Sequence, residues 1–97
     1  MEILMKHLRT TTEIPSAAIR TYHKQNLDNA KQKLDEVAIE HREYSTITMA
    51  VAKKNIGKAK QMITDFKRKL SMLLEDGSKE AVYTLAIQLF PVSRMEE

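Results

Sequence analysis

No cysteine occurs in the 97 residues, so a disulfide framework, a thiol nucleophile and a cysteine metal site are all excluded. Glycine is almost as scarce, with only Gly57 and Gly77, and no phosphate-cradling loop can be written from two isolated glycines. Aromatic residues make up 5% and do not interleave with the cations, which removes the stacking platform that single-stranded nucleic acids use. No apolar run approaches the roughly 20 residues of a spanning helix, and residues 1–8 hold only a short apolar patch broken by Lys6 and His7. The chain therefore reads as soluble, with no membrane partner, and the absence of cysteine suits the cytoplasm.

What is present is alternation. Residues 42–52 and 80–92 place their larger apolar side chains at odd positions, Ile47, Met49 and Val51 in one and Tyr83, Leu85, Ile87 and Leu89 in the other. Even positions are mostly smaller or polar, including Thr46, Thr48, Thr84 and Gln88. A period of two is the mark of a strand with one buried face. Between the two runs lies an apolar stripe at helical spacing, Ile56, Ala59, Ile63, Phe66, Leu70 and Leu73, ended by Asp76-Gly77. Ahead of them a second stripe, Ile19, His23, Leu27, Ala30, Leu34 and Val37, follows Pro15, a residue tolerated in the first turn of a helix, where Thr12 or Glu13 could cap.

The expected fold is one α/β domain of α+β two-layer type, order (β)αβαβ, with two long helices on one face of a small two- to three-stranded sheet. Its elements are a strand remnant or extended entry over 1–12, a helix over 13–38, a strand over 42–52, a helix over 54–76 and a strand over 80–92. Strand, helix and strand in that order would normally give parallel neighbours. Two strands alone leave long unpaired edges, so either residues 2–9 join the sheet or a second chain completes it.

Sixteen basic residues against thirteen acidic give a net charge of only +3, but the positive charge is concentrated. Lys53, Lys54, Lys58, Lys60, Lys67, Arg68 and Lys69 fall in and just before the second helix, with Asp65 as the one acid among them. Lys53, Lys60 and Lys67 recur every seven residues, and such a row could meet phosphates, an acidic protein or water. Arginine, the usual reader of base edges, is scarce there.

Catalysis has no visible constellation. His23 stands alone on an apolar stripe, where a packed histidine is the ordinary reading, and His7 and His41 complete no ligand spacing. Asp28, Asp35, Glu36 and Glu40 lie on or near a polar helix face, and the hydroxyl residues form no nucleophile elbow. Met49, Met62 and Met72 read as core filling. The expectation is a non-enzyme without metal or cofactor.

Three segments taken together, residues 14–37 (IPSAAIRTYHKQNLDNAKQKLDEV), 42–54 (REYSTITMAVAKK) and 82–94 (VYTLAIQLFPVSR), resemble the C-terminal domain of a paralogous bacterial family classed as transcription regulators, whose C-terminal half is a domain of unknown function. Tyr22, His23, Arg42, Tyr83 and Phe90 match its pattern, and the family supplies no catalytic role for them, so they stand as architectural or ligand-contact positions. The resemblance implies a winged-helix-like DNA-binding region ahead of this domain, of which residues 2–9 would be the last strand. DNA contact would then fall mainly to that region, and the chain reads as a fragment, an excised domain or a truncated paralogue. The expected function is non-catalytic regulation and homodimerisation through a sheet edge or the helices. The alternatives are direct nucleic-acid binding by the basic helix and a small-ligand or peptide sensor near Tyr22, His23 and Tyr83.

Overall fold

Ser16 opens the first helix. Its backbone is extended and its hydroxyl accepts a hydrogen bond from the Ile19 amide at 3.4 Å, satisfying one of the amides that a helix start leaves unpaired. The computed structural model describes residues 16–94, so the expected strand over residues 2–9, and the Thr12 or Glu13 cap, lie outside the described residues. From this cap α1 runs over Ala17–Glu36. Its last turn is closed from outside: the Val37 amide bonds back to the Lys33 carbonyl at 3.0 Å, and Arg42 Nε donates to the Val37 carbonyl at 2.8 Å.

A short 3-10 turn, Ile39–His41, reverses the chain, and a second, Lys53–Asn55, leads into α2, Ile56–Leu74. Asn55 makes no side-chain cap, and the 3-10 turn brings its amide to the Ala52 carbonyl at 2.9 Å instead. Past the end of α2, Gly77 has φ +104, the left-handed conformation glycine reaches without a Cβ clash. Both helices were legible as stripes, and each is a few residues shorter than its pattern suggested.

The α/β two-layer fold does not form. Among the described residues there is no strand and no sheet, so the strands expected over 42–52 and 80–92 are corrected to irregular segments. Both run without a turn or bend, but no backbone hydrogen bond joins them to each other. The physical reason is that alternation reports which face is apolar and says nothing about pairing. A strand also needs a second backbone about 4.8 Å away along its edge. Here the second segment, 78–92, is tied by a side chain, the Tyr83 hydroxyl, to the His41 carbonyl of the turn that precedes the first, and no ladder joins the two segments.

Without a sheet there is little for the helices to cover. None of the described residues is buried. On α2 the expected stripe is half-covered at Ile56, Ala59, Ile63 and Leu70, while Phe66 and Leu73 remain exposed. On α1 the half-covered side consists of Ile19, Tyr22, Asn26 and Ala30, followed beyond the helix by Val37. The face is thus turned from the expected one, leaving His23, Leu27 and Leu34 outward. Met49, Met62 and Met72, expected as core filling, are likewise exposed.

Candidate functional site

Three parts of the chain converge beside the C-terminal end of α1. Arg42 starts the first irregular segment, and its Nε hydrogen bond to the Val37 carbonyl holds its guanidinium 5.5 Å from the centre of the Tyr44 ring, a cation–π distance. Tyr44 in turn donates its hydroxyl to the Ala30 carbonyl at 2.5 Å, which lays the segment back along the helix. The third part arrives from far away in sequence, because Tyr83 donates to the His41 carbonyl at 2.7 Å. One arginine and two tyrosines therefore bind three backbone carbonyls of the α1 end and the following turn.

These groups do not form a catalytic constellation. Arg42 commits only its Nε to a carbonyl and keeps its terminal guanidinium nitrogens, while the Tyr83 hydroxyl proton is given to the His41 carbonyl. Among the described residues no group of three histidine, aspartate or glutamate side chains gathers at metal-binding distances. Tyr22 and His23 stand together on α1, ring centroids 5.8 Å apart and tilted by 54°. Ala30, where Tyr44 docks, is seven residues beyond His23, about 10 Å along the axis. The five positions grouped by the resemblance thus split: Arg42 and Tyr83 belong to the junction, Tyr22 and His23 to the middle of α1, and Phe90 lies exposed near the end of the second segment. Tyr44 was not singled out from the sequence. Its signal was there, as one of three tyrosines, standing at the head of an uncharged run.

The cations form a separate surface. Lys53 and Lys54 lie in the 3-10 turn, and Lys58, Lys60, Lys67 and Arg68 lie on α2. At about 100° per residue, Lys60 and Lys67 border one side of the apolar arc, while Lys58 and Lys69 border the other. They frame that arc instead of making one stripe. Arg68 is partly offset, since it bonds Asp65 at 3.2 Å and the Gln61 amide donates to the same carboxylate oxygen at 3.2 Å. No acid occupies the first turn of α2, so Lys53, Lys54 and Lys58 add to the positive end of the helix dipole.

Among the described residues the carboxylate with a perturbed titration is Glu36. The Gln32 side-chain amide, at 2.9 Å, lowers it from the ordinary glutamate value; desolvation opposes this, and Lys33 at 3.5 Å acts in the same direction as Gln32. This is a helix-end contact, remote from any reacting group.

Among the described residues these features are two helices, a polar junction, a concentration of cations on the second helix, and apolar segments that make no backbone pairing with the rest. The sequence matches the profile of the family described as a domain of unknown function, DUF4423, over residues 3–92, and the chain belongs to that family. No curated protein and no solved structure matches it. No helix among the described residues is long and apolar enough to cross a membrane.

Proposed function

We propose that this domain is a non-catalytic regulatory and dimerisation module of a bacterial cytoplasmic transcription regulator. The regulator setting rests on the resemblance of residues 14–37, 42–54 and 82–94. The observation that carries the dimerisation is the missing core: none of the described residues is buried, while the apolar side chains of 82–92 and the outer apolar side of α2 stand open. Ordering a backbone costs on the order of 1 kcal/mol per residue, and this is ordinarily offset by apolar burial. A chain holding this conformation needs further burial, and a second subunit provides it. The junction fits a structural role, since Arg42 Nε and the Tyr44 and Tyr83 hydroxyls all donate to backbone carbonyls.

Light scattering across a wide range of concentration tests the reading. A mass of two chains supports it; a folded species with the mass of one chain at the highest concentration sinks it.

A second reading, nucleic-acid contact by the basic helix, is favoured by one observation, the gathering of Lys53, Lys54 and Lys58 at the positive end of the α2 dipole. It requires binding of duplex DNA that falls by roughly one power of salt concentration per phosphate neutralised. The same binding must weaken in a Lys54→Glu, Lys58→Glu variant. No binding at low salt ends it.

A further inference from the structure

Two stretches of this chain carry no charge at all, residues 44–52 and 81–93, although 30% of the whole sequence is charged. Natural sheet edges that face water are guarded by charges, above all lysine. These are guarded only outside the stretches, by Glu43 and Lys53 and by Glu80 and Arg94. The second stretch runs without a turn or bend as far as Val92, with backbone groups that no other part of the described chain engages. Its odd positions lean toward the rest of the molecule, with Leu85 48%, Ile87 40% and Leu89 45% exposed and Tyr83 bonded to His41, while Val82 on the even face is 99% exposed.

We propose that residues 82–90 pair antiparallel with the same residues of a second copy across a two-fold axis at Ala86. The inference rests on the dimerisation reading and names where and in what register it happens. The apolar pattern puts the centre at Ala86, and the limits of the stretch are compatible with it. The odd apolar run Tyr83, Leu85, Ile87 and Leu89 is symmetric about residue 86. Pro91, which has no ladder donor, ends the pairing at Phe90, and the position symmetric to Phe90 about 86 is Val82, one residue inside the start of the uncharged stretch. In this register Leu85 faces Ile87 and Tyr83 faces Leu89, so large apolar side chains meet on one face. A shift of one residue in the sum of paired positions would set Tyr83, Leu85, Ile87 and Leu89 against the even face, with Thr84 and Gln88.

The open surface is of the size a partner copy covers. The chain exposes 9508 Å² in all. A compact protein with the mass of the described part would expose about 5,000 Å², and the residues outside 16–94 can add at most about 3,000 Å² even as extended chain. About 1,500 Å² is left over, within the per-subunit share, roughly 1,000–2,500 Å², of obligate homodimer interfaces. A closed two-fold pair also uses each 82–90 edge once, with the same patch on both subunits.

The absence of cysteine makes the test clean, because any disulfide must come from an introduced residue. Ala86→Cys places two thiols opposite each other, with Cα atoms about 4.5–5.5 Å apart, inside the disulfide range. Thr84→Cys alone does not, because Thr84 faces Gln88 in this register and the two copies of Thr84 stand about 13 Å apart along the strand. Under mild oxidation of the intact chain, Ala86→Cys should give at least about tenfold more cross-linked dimer than Thr84→Cys alone, and an equal mixture of Thr84→Cys with Gln88→Cys should cross-link as heterodimer. Hydrogen exchange on the unaltered protein, needing no substitution, should show protection over 82–90 that disappears on dilution with the dimer mass. A dimer by mass with equal cross-linking at all three positions, or with no protection over 82–90, overturns the register and leaves the dimerisation reading standing. A folded species of one-chain mass overturns both, and open-ended growth beyond the dimer overturns the closed pairing.

Discussion

Tyr83 donates its hydroxyl to the backbone carbonyl of His41 at 2.7 Å, joining residues 42 positions apart in the chain. It is the longest-range polar tie among the described residues, and it decides which end of α1 the second irregular segment reaches. The carbonyl it occupies belongs to the 3-10 turn Ile39–His41, whose cap also places Arg42 for its bond to Val37. One hydroxyl thus holds the segment 78–92 to the same corner that anchors 42–52.

Removing that hydroxyl should loosen the segment without touching the helices. Tyr83→Phe keeps the ring and loses one hydrogen bond at an exposed position, so a cost near the low end of the usual range, about 0.5–1 kcal/mol, is expected. Chemical denaturation should report that decrease. Helical circular dichroism should be unchanged, and in the proposed dimer, where 82–90 is paired, amide exchange should accelerate over those residues. An exchange pattern identical to that of the parent protein would show that the tie does not control the segment.

The helices were legible because their signals are local. Periodic apolar residues and the Gly77 stop each act within one or two turns, and α1 and α2 formed inside the expected ranges, although the cap of α1 is Ser16, which was not among the expected caps. The family was legible as a domain of unknown function, since residues 3–92 match its profile. The sheet was not, because pairing is a property of two backbones and the alternation of 42–52 and 80–92 describes only one at a time. The rotated face of α1 failed for a related reason: Tyr44 docks on the Ala30 carbonyl, and the side that is covered follows that contact and not the Leu27 and Leu34 row. Of the candidate site residues, Arg42 and Tyr83 meet at a junction that no spacing rule announces, since their partners are carbonyls and carbonyls carry no sequence signal.

Acid should weaken the end of α1 through Glu36. Its carboxyl titrates below the ordinary glutamate range in the folded chain, first because the Gln32 amide donates to the ionised form and then because Lys33 is near. A depressed folded value means that the stabilisation is present above the unfolded value, near 4.5. It is lost as pH falls through the folded value. Glu36→Gln should therefore coincide with the parent at acid pH, where the carboxyl is protonated, and fall only slightly below it at neutral pH, because the group is exposed and its contribution small. Carbon-detected NMR titration of Glu36 checks the direction; a midpoint at or above the ordinary value would refute the assignment.

Ser16 offers a measurable cap. Its hydroxyl receives the Ile19 amide at 3.4 Å, a long bond, so Ser16→Ala should cost toward the low end of cap substitutions, about 0.5–1 kcal/mol. Ser16→Asp keeps an acceptor and adds a charge at the positive end of the α1 dipole, where no acid now occupies the first turn. It should match or exceed the parent in thermal stability. A variant pair in which both substitutions destabilise equally would remove the cap from the account of α1.

The two glycines should respond to the same substitution with opposite signs. At Gly57, within the first turn of α2, an added Cβ meets nothing within 4 Å, and φ does not lie in the left-handed region. Gly57→Ala then only reduces the freedom of the unfolded chain and should stabilise by about 0.4–1 kcal/mol. At Gly77 the space is equally open, but φ is +104, so crowding is not the issue and conformation is. A left-handed backbone costs an L residue roughly 1–2 kcal/mol, and Gly77→Ala should destabilise by about that amount. Denaturant midpoints of the two variants, measured at one protein concentration so that association does not enter the comparison, should move in opposite directions. Equal shifts of the same sign would mean that the turn after α2 relaxes out of its left-handed geometry, and that the path from α2 into the 78–92 segment is not set by Gly77.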